Sequence, residues 1–205
     1  PVGLEGMTIQ MLEFLSTVLL NSDVQSLVYE MLSPFLTMIT GYMLVTSDQE
    51  DLWVRDPNQF VADDEDESNL HSIRNAALNV FESMVDIYEE EAVETLLRIV
   101  EELLLKGGDC QVNSVDLAEL IQGGQPKQIQ CSLREYFHFT SDESQRWKFR
   151  ELSSMIIGSL SDKIIEMVEG GELPIDINIL IDEIILKDLS SDSQFLIGRS
   201  FWTAG

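Results

Sequence analysis

The sequence predicts an all-α chain made of successive helix pairs. Three observations predict it. Apolar residues recur at i, i+3, i+4 and i+7 over long stretches, the mark of an amphipathic helix. Ser or Thr followed three residues later by Glu or Gln stands at several points where such a stretch begins, as a capping box requires. No alternating apolar–polar run is bounded by Asn-Gly or Asp-Gly turns, so strand signals are weak.

The elements follow in order. Ile9 to Leu20 and Val24 to Val45 read as a first pair, with Pro34 breaking or kinking its second helix. Ile73, Ala76, Ala77, Val80, Phe81, Met84 and Ile87 mark one stripe, and Val93, Leu96, Leu97, Val100, Leu103 and Leu104 mark the next. Glu89, Glu90 and Glu91 lie between them, at the helix N-terminus where the dipole favours negative charge. Phe149, Leu152, Met155, Ile156, Leu160, Ile164 and Met167 mark a further helix, which Gly170 and Gly171 end. Pro174 opens its partner, with Ile177, Leu180, Ile181, Ile184 and Ile185. A last helix begins near Asp192 and carries Phe195, Leu196, Phe201 and Trp202. The capping pairs are Ser22 with Gln25, Ser47 with Glu50, Thr140 with Glu143, and Ser191 with Gln194.

Arg150 and Arg199 open successive first helices and stand 49 residues apart, close to the period of about 40 to 47 residues of HEAT and armadillo arrays. Arg74 opens the preceding one, 76 residues before Arg150. A Gly-containing insertion from about Gly107 to Asp142, with a short helix over Ser114 to Ile121, accounts for the excess. The expected architecture is therefore a HEAT-repeat, armadillo-like, right-handed superhelical solenoid. Its parts are a helix pair over 1–46, an anchored acidic loop over 47–69, a pair over 70–106, the insertion over 107–142, a pair over 143–190, and a truncated repeat over 191–205. A single globular helical bundle is the rival fold. The chain starts at Pro1 without a methionine and stops in mid-pattern, which reads as a piece of a longer solenoid.

Charge bounds the function. There are 37 acidic and 12 basic residues, for a net charge of −25. Such a field repels nucleic acid and anionic lipid, and it attracts cationic proteins and speeds their encounter. No apolar run reaches the roughly 18 residues of a membrane span. Cys110 and Cys131 form no disulfide framework, and with His71 and His138 they show no zinc-ligand spacing. No phosphate loop or nucleophile elbow is present, so neither enzyme activity nor a cofactor is expected.

The most informative stretch is Trp53-Val54-Arg55-Asp56-Pro57-Asn58-Gln59-Phe60-Val61-Ala62, which leads directly into Asp63-Asp64-Glu65-Asp66-Glu67. Five consecutive carboxylates cannot pack without partners, so they are expected on a solvated loop. Trp53, Asp56, Pro57 and Phe60 are read as the scaffold that seats the run. This stretch resembles the corresponding segment of importin-9-like receptors in the importin-β superfamily. Arg146-Trp147-Lys148-Phe149-Arg150-Glu151 to Gly158-Ser159-Leu160, Ile184 to Leu189, and Phe195 to Trp202 resemble the same family in the same order. The resemblance covers about residues 45 to 205, apart from the insertion.

It implies a segment of a nuclear import receptor, present in cytoplasm and nucleus, that carries basic cargo such as core histones and ribosomal proteins. It further implies a response to the GTPase Ran in its GTP form and contacts with nuclear pore proteins, and no direct contact with nucleic acid or membrane. Asp63, Asp64, Glu65, Asp66 and Glu67 are the candidate partner-binding residues. The alternative is a HEAT-repeat scaffold subunit that binds an apolar partner helix and has no role in transport.

Overall fold

A computed structural model describes residues 2–65, 72–106 and 145–205. All three stretches are helical, and no strand occurs among the described residues. The insertion expected over 107–142 and the capping pair at Thr140 lie outside them, as do His71, Cys110, Cys131 and His138. The helices are α1 (Val2–Val18), α2 (Ser22–Tyr29), α3 (Leu32–Tyr42), α4 (Ser47–Arg55), α5 (Pro57–Glu65), α6 (Ile73–Lys106), α7 (Arg146–Gly170), α8 (Ile177–Leu180) and α9 (Gln194–Ala204). A wider π turn, Ile181–Leu186, continues α8. The chain divides into two compact units, Pro1–Tyr88 and Glu89–Gly205.

The dividing point falls inside α6, where Glu89 adopts φ 39° and ψ −112°. A side chain rarely tolerates that left-handed backbone, so the i→i+4 ladder breaks at this residue. The sequence places a turn across Glu89 to Glu91, and the break is confined to the first of the three. The stripes on either side are buried as their spacing requires. Ala76, Ala77, Val80, Phe81 and Met84 belong to the first unit, and Val93, Leu96, Leu97, Val100, Leu103 and Leu104 to the second.

Two proline readings shift. The chain turns at Glu30 and Met31, and Pro34 sits inside the first turn of α3, where its missing N–H breaks no helical hydrogen bond. Pro174 precedes α8 by three residues, in a link where the Ile175 N–H donates to the Leu173 carbonyl at 2.9 Å, while Asp176 caps the helix by accepting from the Asn178 N–H at 2.9 Å. The start of α2 is set by Asn21, whose side chain accepts from the Asp23 N–H at 2.9 Å. Ser193 rather than Ser191 caps α9. Gly171 ends α7 as its position suggests. At φ 76° it takes the left-handed conformation that glycine adopts freely, and the Glu172 N–H closes back on the Met167 carbonyl at 2.9 Å. Of the methionines that stand at helical spacing, Met43, Met84, Met155 and Met167 are buried and Met38 is half-buried, whereas Met31 is exposed at the α2–α3 turn.

The core of the second unit holds a different kind of residue. Arg150, Glu151, Asp188 and Arg199 are all buried in it beside Leu152, Ile156, Ile184 and Leu196. The Arg150 Nε donates to Asp188 Oδ1, and its Nη2 donates to the Glu183 carbonyl at 3.0 Å. The Ser154 hydroxyl donates to the other oxygen of Asp188, also at 3.0 Å. Arg199 Nε donates to Glu151 Oε1 at 2.9 Å, and its guanidinium lies 4.8 Å from the Trp202 ring centre. An α-helix drifts by about 40° for every four residues. The π turn is wider, and it helps keep Leu180, Ile184 and Asp188 facing inward together.

Candidate functional site

The acidic segment is seated by a small helix–turn–helix, α4 and α5. Thr46 caps α4 in a full capping box: its hydroxyl accepts from the Gln49 N–H at 3.3 Å, and Gln49 Oε1 accepts from the Thr46 N–H at 3.0 Å. The sequence pairing of Ser47 with Glu50 misses this by one residue. Asp56 closes α4 with extended backbone and opens α5, its Oδ1 accepting from the Asn58 N–H at 3.2 Å. Pro57 takes the first helical position, where its missing N–H leaves no bond unmade. Residues Trp53 and Phe60 then meet edge to face, with ring centres 4.9 Å apart. Trp53 is fully buried, and the guanidinium of buried Arg74 lies 5.8 Å from its ring centre. All four residues read as scaffold therefore take part in the turn.

Asp63 belongs to that scaffold as well. Its Oδ2 accepts from the indole Nε1 of Trp53 at 2.7 Å, and its Oδ1 accepts from Gln59 Nε2 at 2.6 Å. Its backbone carbonyl accepts from Asn75 Nδ2 at 3.3 Å. Both carboxylate oxygens thus have donors within the fold. The sequence reading grouped Asp63 with the partner-binding carboxylates, and the geometry makes it the residue that ties the run to the core.

The run begins on a helix rather than on a loop. Helix α5 continues through Asp64 to Glu65, because the Gln59–Asp63 bond at i,i+4 and the Trp53 contact hold its last turn. Asp66 and Glu67 lie outside the described residues. At the C-terminal end of α5 the helix dipole is negative, so it adds to the carboxylates and does not offset them.

Two other acidic positions show the same crowding. Glu82 is pushed above the ordinary carboxylate value by partial burial and then by Asp86 beside it. Burial raises Glu101 as well, Glu102 adds to the effect, and Arg98 opposes it. Tyr88 is raised by burial, and its hydroxyl donates to the Gln25 carbonyl at 3.0 Å.

The acidic partners of the buried arginines were missed in the sequence. Arg150 and Arg199 were read as markers of repeat phase, yet each lies on a buried stripe, and a buried cation demands a counter-charge. That requirement alone signals a missing acidic partner without naming Glu151 or Asp188.

Among the described residues no group of three or more His, Cys, Asp or Glu is placed to hold a metal ion. No single described helix is long and apolar enough to cross a membrane. The described geometry thus consists of a seated acidic segment in the first unit and a buried ion-pair network in the second. No known family model matches the chain.

Proposed function

We propose that this chain is a segment of a nuclear transport receptor of the importin-β superfamily, folded as a HEAT solenoid, that captures basic cargo by its acidic surface. The observation that carries the reading is the double hydrogen bond from Trp53 and Gln59 to Asp63, which fixes where a run of carboxylates begins on a molecule of charge −25. A fixed anionic cluster keeps its field in one place, and a cationic protein meeting it releases the counterions of both surfaces. The resemblance at Trp53 to Val61, Arg146 to Leu160 and Phe195 to Trp202 supports the narrower assignment to import receptors.

In this reading Asp64, Glu65, Asp66 and Glu67 contact Lys- and Arg-rich cargo such as core histones or ribosomal proteins. Asp63, Trp53, Asp56, Pro57 and Phe60 hold them in position. Ran in its GTP form competes for overlapping surface or changes the curvature of the array. Nuclear pore proteins are further partners, and the receptor moves between cytoplasm and nucleus.

The test is a titration with a core histone dimer at two salt concentrations, with and without Ran-GTP. Affinity that falls steeply with salt and drops when Ran-GTP is added is the expected result. Salt-independent affinity would remove electrostatic capture from the mechanism. Indifference to Ran-GTP would remove the receptor assignment and leave an acidic binding module.

A further inference from the structure

Helices α1 and α6 line a small cavity within the first unit. Glu13 and Ser16 of α1 and Ala76 and Asn79 of α6 surround it, and its volume is about 200 Å³. Each pair stands at i,i+3, so each helix presents two side chains on one face. Ala76 is buried and makes an apolar floor, Ser16 is half-buried, and Glu13 and Asn79 are exposed at the mouth.

The polar side chains of this cavity are unmatched. Among the described residues nothing bonds the Glu13 carboxylate, the Ser16 hydroxyl or the Asn79 side-chain amide. The hydroxyls of Thr17 and Ser83 reach only the main-chain carbonyls of Glu13 and Asn79, at 3.0 and 2.8 Å. Among the described residues the first unit supplies no cation for them either. Residues 1–88 include no lysine and two arginines. Arg55 stands 4.0 Å from Asp51, and Arg74 is buried with its guanidinium 5.8 Å from the Trp53 ring centre. Glu82 and Asp86 follow Asn79 at i+3 and i+7 on α6, so the same face adds negative charge.

The chemistry of the occupant follows from these groups. A carboxylate, a hydroxyl and an amide oxygen are acceptors around one small space. A lysine ammonium carries three donors and no acceptor. Its four-carbon stem lies on apolar surface while the head stays at the water's edge. The volume is below the roughly 300–1,000 Å³ of pockets that take whole small molecules, and it suits a single side chain. Glu13 repels an anion, and an apolar side chain leaves the polar groups unpaired.

We propose that this cavity seats one lysine side chain of a cationic partner protein, its ammonium at Glu13, Ser16 and Asn79 and its stem over Ala76. The proposal rests on the reading of the chain as an electrostatic capture surface. It adds a second contact to that reading, on α1 and α6 rather than in the acidic run.

A titration of the full 205-residue chain with hexalysine, followed by NMR at about 0.1 M salt, tests it. The Ala76 methyl and Asn79 side-chain amide signals are expected to move as peptide is added. Glu13→Gln weakens hexalysine about fivefold, the scale of one exposed ion pair. The position is exposed, so this variant folds as the parent does. Ser16→Leu fills the cavity without changing the charge and gives a loss of similar size. Glu5→Gln removes the same charge about 12 Å away along α1, beyond the screening length, and weakens binding less than about twofold. Equal effects of Glu5→Gln and Glu13→Gln, or Ala76 and Asn79 signals that stay still, overturn the proposal, because the general field alone then holds the peptide. The readout needs neither histone nor Ran. Seating of hexalysine in a chain that ignores the histone dimer upholds the cavity and removes the cargo reading. Salt-dependent histone binding with parent-like hexalysine affinity in both cavity variants does the reverse.

Discussion

The two units place their acidic residues differently. In the second, Glu151 and Asp188 are taken out of water and matched with Arg199 and Arg150. In the first, Asp63 is held by an indole and an amide, and further acidic residues follow it in sequence. A buried carboxylate with a cation contributes nothing to the outward field. An indole and an amide donor fix where a carboxylate sits. Each buried pair takes one charge of either sign into the interior, so the net charge of −25 stays with the remaining groups.

The largest effect is expected from breaking the interior pair. Arg199→Ala leaves Glu151 buried without its cation and costs about 3–5 kcal/mol in urea unfolding. Replacing both residues, with Arg199→Met and Glu151→Leu, restores stability to within about 1 kcal/mol of the parent, because a matched apolar pair avoids the desolvation cost. If the single and double variants unfold alike, the pair is not what holds this part of the core.

A smaller loss is expected at Asp63. Asp63→Ala deprives the buried Trp53 N–H of its acceptor and costs about 1–3 kcal/mol. Asp63→Asn retains an acceptor oxygen and costs less than half of that. Equal losses for the two would mean that the negative charge, rather than the hydrogen bonds, matters there.

The smallest effects are expected at Glu82 and Glu101. Each has a raised pKa in the folded state, so the folded chain holds its proton to higher pH than the unfolded chain does. Stability from each group is therefore present below the ordinary value of 4.5 and is lost as pH rises through the raised folded value. Glu82→Gln and Glu101→Gln should both raise the unfolding temperature at neutral pH and have little effect below 4.5. Both gains are small, because Glu82 is exposed and Glu101 only half-buried. A lowered unfolding temperature at neutral pH in either variant would contradict the raised values.

What could be read ahead of the coordinates was local. Stripes such as Ala76 to Met84 and Leu152 to Met167 are buried because a period of 3.6 fixes one face of a helix whatever lies against it. Trp53, Asp56, Pro57 and Phe60 could be recognised as a seat because their contacts close within a few residues. The partners of Arg150 and Arg199 lie 38 and 48 residues away, and no pattern along the chain encodes which acid comes to meet them. The role of Asp63 was hidden for another reason. A run of identical charges looks uniform in sequence, and the fold singles out its first member by placing an indole N–H in reach. The π turn that follows α8 likewise leaves no mark in the composition of Ile181–Leu186.

In the proposed function the acidic run is a charged surface, held in place, for cationic proteins. Its most direct test is the salt dependence of histone-dimer affinity for the parent chain, for a variant with Asp64→Asn, Glu65→Gln, Asp66→Asn and Glu67→Gln, and for Asp63→Ala. Neutralising the four should flatten the slope of log affinity against log salt and weaken binding at low salt. Asp63→Ala should weaken binding with less change in slope, since it loosens the seat and removes one charge. Parent-like affinity and slope in the fourfold variant would contradict the account.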